Sequence, residues 1–396
     1  MTDLVLVADD LTGAADCAAT MAPRAATSIV LDAEGDWPAA QVLAVDTDSR
    51  YCSADAAAER VMRAARRGSD LGARLFKKID STLRGNIAVE LRAMAAVLGP
   101  SSALVVVAPA FPGTGRTTVG GRVHVHGTPL AAHGREDDVV GLLRAGGLRS
   151  VHVPVEDLQD AAALADTFAA ARSAGADAVV VDGEEDAHLA LVGQAAGLHP
   201  QPLLLAGSGG LARSLGTEFE EAMPAGGRPR SAKGRPCPVL FVVGSHAPVA
   251  RAQVERLAAR PDVSHVVLDG DEARTAANLR GALANGHAVL TPDHRDPVRP
   301  AEAAAVATRL ARAALAGLDR IGTLVATGGE TARAILVTAD VDRLDVVGER
   351  EPGVVHSHVP ALGVDMVTKA GAFGDAGSLL RCLEPEPSHR RGGQRA

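Results

Sequence analysis

The sequence predicts an α/β protein of two domains, each built on a largely parallel sheet. Three observations carry that expectation. Short apolar runs alternate with Ala-rich amphipathic stretches almost throughout, the pattern of buried strands separated by helices. The 396-residue chain exceeds what one ordinary core supports. One stretch, 223–238 "MPAGGRPRSAKGRPCP", loses the apolar period and gathers Pro, Gly and basic residues, as a linker does.

In chain order, 4–8 (LVLVA), 42–45 (VLAV), 103–108 (ALVVVA), 178–181 (AVVV) and 203–206 (LLLA) read as buried parallel strands. Stretches 54–67, 159–174 and 186–196 read as the helices between them. Beyond the linker, strands are expected at 239–243, 265–269, 288–291 and 323–326, with helices at 247–260 and 301–316. The domains are expected at 1–222 and 237–384, followed by a disordered tail over 385–396.

Composition removes several function classes. The chain is 47% apolar and 22% charged, an ordinary globular balance, and only 2% aromatic, which leaves few stacking surfaces for bases. Net charge is -8, with no long basic run before "HRRGGQR", so neither nucleic acid nor an acidic membrane is expected as principal partner. The four cysteines, Cys17, Cys52, Cys237 and Cys382, lie far apart without a C-x-x-C, which fits reduced thiols in a cytoplasmic protein. The N-terminus reads as a strand without a basic leader, and no apolar run reaches membrane-span length.

Ligands of open α/β sheets sit beyond the carboxyl ends of strands, so the residues after each apolar run are informative. "ADDLTGAAD" places Asp9, Asp10, Thr12, Gly13 and Asp16 after the first strand. Paired carboxylates suit a metal-bound phosphate or a substrate proton, and one of them equally suits a helix N-cap. "DTDSR", 46–50, is balanced between a site and a turn. "KIDSTLRGN", 78–86, offers Lys78 and Arg84 for an anion, Ser81, Thr82 and Asn86 for a polyol, and Asp80 as a candidate base. Capping accounts for one or two of those residues, not for all. "PAFPGTGRTTVGGRVHVHG" describes a shaped loop around Arg116 that could cover a substrate. His124 and His126 alternate along an expected strand and would share one face, more as a solvated face than as a metal site. "GSGGLA", 207–212, fits a dinucleotide fingerprint, although late in its domain and without an acidic partner.

In the second domain Gly244 and Ser245 end one strand, and Thr327, Gly328, Gly329, Glu330 and Thr331 end another. Lys369, Gly371, Phe373 and Gly374 follow in "VTKAGAFGDAGSLL". Glycines at three points of one small domain suit a nucleotide, since backbone must approach phosphates closely. No G-x-x-x-x-G-K-[ST] occurs. A polyol- and carboxylate-binding domain beside a phosphate-binding one implies an active site in the cleft between them, transferring a phosphoryl group to a small polyhydroxy acid.

"VADDLTGAAD", "KIDSTLRGN", "APAFPGTGR", "GSGGLA", "VGSHAPVARAQ", "TGGETA" and "TKAGAFG" occur in the order found in the four-carbon acid-sugar kinase family, which the chain resembles from residue 4 to about 384. The resemblance implies ATP-dependent phosphorylation of acids such as threonate, erythronate or 3-oxo-tetronate. It implies that Asp9, Asp10, Lys78, Asp80, Ser81 and Arg84 line the acid site, and that Ser245, Thr327 through Glu330, Gly371 and Gly374 contact ATP. The catalytic base stays open between Asp80 and Asp10. Magnesium is expected with the nucleotide. The partners expected are a small-molecule sugar acid and a second copy of the chain in a homodimer.

The sequence departs from the family pattern at two places. Ala247 and Ala250, flanked by His246, stand where the family carries Ser and Thr on the nucleotide side, and His124 and His133 fall near a family Tyr and Thr on the substrate side. Two other functions remain as alternatives: an NAD(P)-dependent oxidoreductase using GSGGLA, and a non-catalytic sugar-acid sensor derived from the kinase.

Overall fold

The structure is a computed structural model that describes residues 1–99, 104–217, 219, 237–293 and 302–384. All but the last two residues of the expected linker, and the whole of 385–396, lie outside the described residues. The chain divides into two compact units, Met1–Arg230 with Val341–Ala361, and Ser231–Asp340 with Leu362–Ala396.

The chain opens with β1 (Leu4–Ala8), α1 (Leu11–Met21), β2 (Thr27–Val30), β3 (Val42–Asp46), α2 (Ala54–Asp70), β4 (Arg74–Lys78) and α3 (Ile87–Val97). It continues with β5 (Leu104–Ala108), β6 (Arg116–Val119), β7 (Arg122–Val125), β8 (Thr128–Pro129), α4 (Val139–Ala145), β9 (Ser150–Val153), α5 (Ala161–Ser173), β10 (Ala178–Val181), α6 (Asp186–Leu198), β11 (Leu203–Gly207) and α7 (Gly209–Gly216). Then follow β12 (Val239–Val243), α8 (Pro248–Ala258), β13 (Val263–Val267), α9 (Glu272–Asn285), β14 (His287–Thr291), α10 (Ala303–Leu315), β15 (Thr323–Thr327) and α11 (Gly329–Thr338). The last elements are β16 (Arg343–Glu351), β17 (Val354–Val359), β18 (Val364–Lys369) and α12 (Ser378–Arg381).

Within the first unit the main sheet runs β17-β16-β2-β3-β1-β4-β11-β5-β10-β9 among the described residues. Neighbours from β2 to β9 pair in parallel. β16 joins β2 antiparallel, and β17 joins β16 antiparallel. β6, β7 and β8 form a small antiparallel sheet. The second unit carries a parallel sheet in the order β13-β14-β12-β15-β18.

Strands β1, β5 and β12 are buried along their whole length, which explains their unbroken apolar composition. Helix α2 starts where Ser53 accepts from Ala56 N and buries Ala57, Val61, Ala64, Ala65 and Gly68. A Cβ on Gly68 would stand 2.8 Å from Leu75 and 3.1 Å from Val5, so only glycine lets this helix lie so close to the sheet. An alanine methyl stabilises by only about 0.8 kcal/mol when buried. Many small side chains in close contact replace the few large ones of an aromatic core.

One boundary differs from the contiguous domains expected at 1–222 and 237–384. Residues 341–361 belong to the first unit because β16 hydrogen-bonds to the free edge of β2, with Leu344 paired to Ile29. Nothing in the local composition marks that choice, since strand pairing is decided at long range.

Between sheet and helix the first unit buries a full ion pair. Lys77 Nζ lies 2.9 Å from Glu90 Oε2, with side chains 0% and 2% exposed. Ser49 Oγ donates to the other Glu90 oxygen at 2.5 Å. Removing one partner of such a pair leaves an uncompensated buried charge. Glu90→Ala is therefore expected to destabilise the first unit by about 3–5 kcal/mol, read as a fall in its urea midpoint, and an unchanged midpoint would refute the role given to this pair.

Candidate active site

The order of an open parallel sheet reverses at one place, and the crevice there receives the ligand. In the first unit β1 has β3 on one side and β4 on the other, with Ala8 in register with both Asp46 and Lys78. Asp9 and Asp10 thus emerge beside Ile79 and Asp80 at the reversal.

The charge that organises this crevice is Arg50. Its guanidinium donates to Asp9 through Nε and Nη2, both at 2.8 Å. It also donates to Asp10 through Nη1 at 2.6 Å and Nη2 at 2.8 Å, and Asp80 Oδ1 lies 3.7 Å from Nη2. Burial alone would weaken the charge on Arg50, but Asp10 and Asp9 outweigh it and the net shift is upward. Burial likewise opposes ionisation of Asp9, and the Arg50 charge and hydrogen bond hold its carboxyl below the usual range. Asp10 also caps α1, accepting from Gly13 N at 2.8 Å and Thr12 Oγ1 at 2.7 Å.

"KIDSTLRGN" wraps a loop around Asp80. Its carboxylate accepts from Arg84 Nε at 2.9 Å and Nη2 at 2.7 Å, from Thr82 Oγ1 at 2.6 Å, and from the backbone of Thr82 and Arg84 at 3.2 Å. Burial opposes ionisation, yet the Arg84 hydrogen bond and charge, with Arg50 and Lys78, hold Asp80 far below the ordinary carboxylate range. Gly85 takes φ +92, and a Cβ there would stand 2.9 Å from Asp9 Oδ2. Asn86 donates to the carbonyls of Ser49 and Cys52, both at 3.1 Å, and so anchors the segment that carries Arg50.

Lys78 turns to the opposite face of the sheet from Lys77. Its buried ammonium donates to Ile79 O at 3.0 Å, the only hydrogen bond it makes among the described residues. Burial works against the charge, but Cys17, Asp10, Asp9 and Asp16 outweigh it and Lys78 stays protonated above the ordinary lysine range. Beside it, burial pushes the Cys17 thiol up to about 12, which makes it a poor nucleophile.

Asp9, Asp10, Lys78, Asp80 and Arg84 therefore come together. Ser81 is half-buried in the same loop. Arg116 stands at the start of β6, where burial lowers its pKa and the charges of Asp80 and Asp16 oppose that. Sequence reasoning left Arg50 balanced between site and turn and did not include Glu349, which β16 brings near Asp16 from far along the chain. The polar run after β3 was the available signal for Arg50; no local signal marked Glu349.

Two expectations need correction. His126 does not continue the strand with His124: β7 ends at Val125, His126 takes φ 50, and its N–H donates to Gly115 O at 2.7 Å. The GSGGLA glycines serve packing rather than a dinucleotide. A Cβ on Gly209 would stand 2.7 Å from the Phe111 ring, and one on Gly210 would stand 2.5 Å from Ala110 O. Ser208 caps α7 and donates to Ala110 O at 2.8 Å, so the chain itself fills that turn. A cavity of about 520 Å³ at the β9 edge, lined by Arg144, Leu148, Arg149 and Ala176, contains none of the candidate residues.

In the second unit the order reverses between β12 and β15. A Cβ on Gly244 would stand 2.1 Å from Thr331 Oγ1, and one on Gly371 would stand 2.3 Å from Ser245 Oγ. Gly328 opens α11 at φ +101, with its N–H on Lys369 O at 2.8 Å, and Gly374 takes φ +79. Thr327 Oγ1 is buried without a partner among the described residues, and Glu330 is exposed at the helix start. The Lys369 ammonium donates to Ala370 O and Phe373 O, both at 2.9 Å. Gln253 donates to Phe373 O at 3.3 Å and Asp375 O at 2.7 Å, so both side chains shape the glycine loop. Ala250 is fully buried on α8, while Ala247 precedes that helix and donates its N–H to Ser245 Oγ at 3.3 Å.

Two family models match the chain, a sugar-binding N-terminal domain over 4–215 and a nucleotide-binding C-terminal domain over 240–379. A D-threonate kinase of Cupriavidus necator is 39% identical over 406 residues, spanning 95% of this chain and 96% of its own. The chain belongs to the four-carbon acid-sugar kinase family. A D-threonate kinase of Bordetella bronchiseptica is 32% identical across 96% of each chain, and a 3-oxo-tetronate kinase of Cupriavidus necator is 29% identical across 93% of each. A crystal structure from Salmonella typhimurium LT2, 22% identical, superposes with a TM-score of 0.77 over 96% of this chain and 98% of that one, which shows the shared fold. The protein is thus a sugar-acid kinase, and none of its described helices is long and apolar enough to cross a membrane.

In this kinase the depressed Asp80 carboxyl contributes stability above the ordinary aspartate range, about pH 3.9, and loses it as pH falls through the folded value. Arg84→Gln removes the largest favourable cause. Its melting temperature is expected to fall below wild type at pH 7, with a deficit that shrinks as the medium is acidified; a deficit independent of pH would show that Arg84 acts otherwise.

Proposed function

We propose that the protein is an ATP-dependent, magnesium-requiring cytoplasmic kinase that phosphorylates a hydroxyl of a four-carbon sugar acid, with D-threonate the first candidate. The observation that carries this reading is Lys78, a buried ammonium with donors to spare at the reversal point of the first unit's sheet. A carboxylate is the ligand such a group accepts without leaving charge uncompensated. Arg84 commits Nε and Nη2 to Asp80, which leaves its outer Nη1 edge, with the hydroxyl of Ser81, for the acid's oxygens. Asp9 and Asp10 are satisfied by Arg50, and in this reading they shape the pocket.

For the nucleotide the reading takes Ser245, Thr327 through Glu330, Gly371 and Gly374, which gather after the strands at the reversal of the second unit's sheet, where Gly371 lets the backbone lie against Ser245 and the buried Thr327 hydroxyl suits a polar ligand. The names of three relatives, 39%, 32% and 30% identical, support threonate over the oxo acid. Bound Mg-ATP supplies the phosphoryl group and the counter-charge for its transfer. The free cysteines support the reducing compartment.

ADP release is to be measured with Mg-ATP across four- to six-carbon sugar acids. Release with D-threonate, abolished by EDTA, is the expected result, and silence across the panel from folded protein would sink the reading. Gly371→Ala, whose new Cβ would crowd Ser245 at 2.3 Å, should raise the KM for ATP about tenfold or more and leave the KM for the acid unchanged. A change confined to the acid would refute the nucleotide site.

A further inference from the structure

Transfer of a phosphoryl group to a hydroxyl needs an acceptor for the hydroxyl proton. The sequence nominated Asp80 and Asp10. Both are occupied. Asp80 accepts from Arg84, Thr82 and the backbone of its own loop. Asp10 accepts twice from Arg50 and also from Thr12 and Gly13. Asp9 is covered by the Nε and Nη2 of Arg50. A carboxylate whose lone pairs are taken up by so many donors has none open toward a substrate hydroxyl.

One acid of the same crevice is different. Asp16 lies on α1, three residues after Gly13 and so on the same face of the helix. Lys78 Nζ stands 2.9 Å from where a Gly13 Cβ would be, which puts the ammonium over that face. Asp16 is half-buried and, among the described residues, makes no hydrogen bond and no ion pair. We infer that Asp16 accepts the proton of the attacking hydroxyl, an assignment that rests on the kinase reading above. The hydroxyl oxygen bonds to the γ-phosphorus, the bond from that phosphorus to the β,γ-bridging oxygen breaks, the proton passes to an Asp16 oxygen, and ADP departs.

The charge environment supports this role. Burial lifts the Asp16 carboxyl to about 7; Lys78 pulls against the lift, Asp10 and Glu349 reinforce it, and Arg116 opposes it. Cys17 adjoins it on α1, Arg213 of α7 faces Glu349 at 3.6 Å, and β17, packed on α1, carries His356 and His358. A base poised near neutrality is the kind that general-base catalysis uses.

The test compares wild type, Asp16→Asn, Asp16→Glu and Asp80→Asn on both sides of neutrality. Asp16→Asn is expected to lower kcat about 10²–10⁴-fold with little change in KM for the acid, and to lose the rise of kcat/KM through neutral pH. Asp16→Glu should restore part of the rate, and Asp80→Asn should keep the rise. A carboxyl with a raised folded pKa costs stability as pH climbs toward that value, so Asp16→Asn should melt no lower than wild type and gain on it as pH rises. Wild-type kcat with an intact pH profile in Asp16→Asn overturns the assignment alone. A variant unfolded at assay temperature also overturns it, by making Asp16 structural. Wild-type protein silent with every acid removes the kinase reading and the assignment together.

Discussion

Three carboxylates cannot share the ends of two adjacent strands unless something neutralises them. Asp9, Asp10 and Asp80 converge there, and Arg50 stands among them with most of its donors committed. Without that guanidinium the acids would take up protons or move apart, and the crevice would lose its shape. Arg50 is itself fixed by its surroundings: Asn86 ties down Ser49 O and Cys52 O, and Gly85 leaves room for Asp9. Many of the polar residues of "KIDSTLRGN" therefore position one another. The group they leave available to a ligand is Lys78.

Lys77 and Lys78 show how two adjacent cations are divided between tasks. Successive side chains of a strand point to opposite faces. Lys77 meets Glu90 of α3 and closes a structural pair. Lys78 faces α1, where acids surround it without closing to a salt bridge. The same contrast separates Asp80 from Asp16. The first is held ionised by its donors, whereas the second is left with its lone pairs open.

The strands and helices were legible because their signals are local. β1, β10 and β12 coincide with the apolar runs at 4–8, 178–181 and 239–243, since a strand buried on both faces needs apolar residues throughout. The gathering of Asp9, Asp10, Lys78 and Asp80 was legible for a similar reason: polar clusters directly after such strands must fall at one edge of the sheet. What was not legible depends on distance or on three-dimensional fit. Arg50 stood balanced between a site and a turn until its partners were known. The glycines of 207–210 matched a phosphate fingerprint, yet they serve the close approach of α7 to Ala110 and Phe111. The spacing of His124 and His126 suggested one strand face, but the positive φ of His126 is set by its bond to Gly115.

The return of residues 341–361 to the first unit bears on the order in which the protein can be completed. Leu31 N–H donates to Asp342 O at 2.9 Å, and Arg343 through Asp345 pair with Val30 through Ser28. A ribosome delivers β2 early and β16 late. Through most of synthesis the β2 edge has no antiparallel neighbour, and an open strand edge is a template for pairing with other chains. Vectorial folding therefore cannot finish the first unit until most of the second has been made, and the second in turn waits for β18. Neither can a gene fragment ending at the expected linker encode a complete first unit, because its sheet would end on a bare strand and its crevice would lack Glu349.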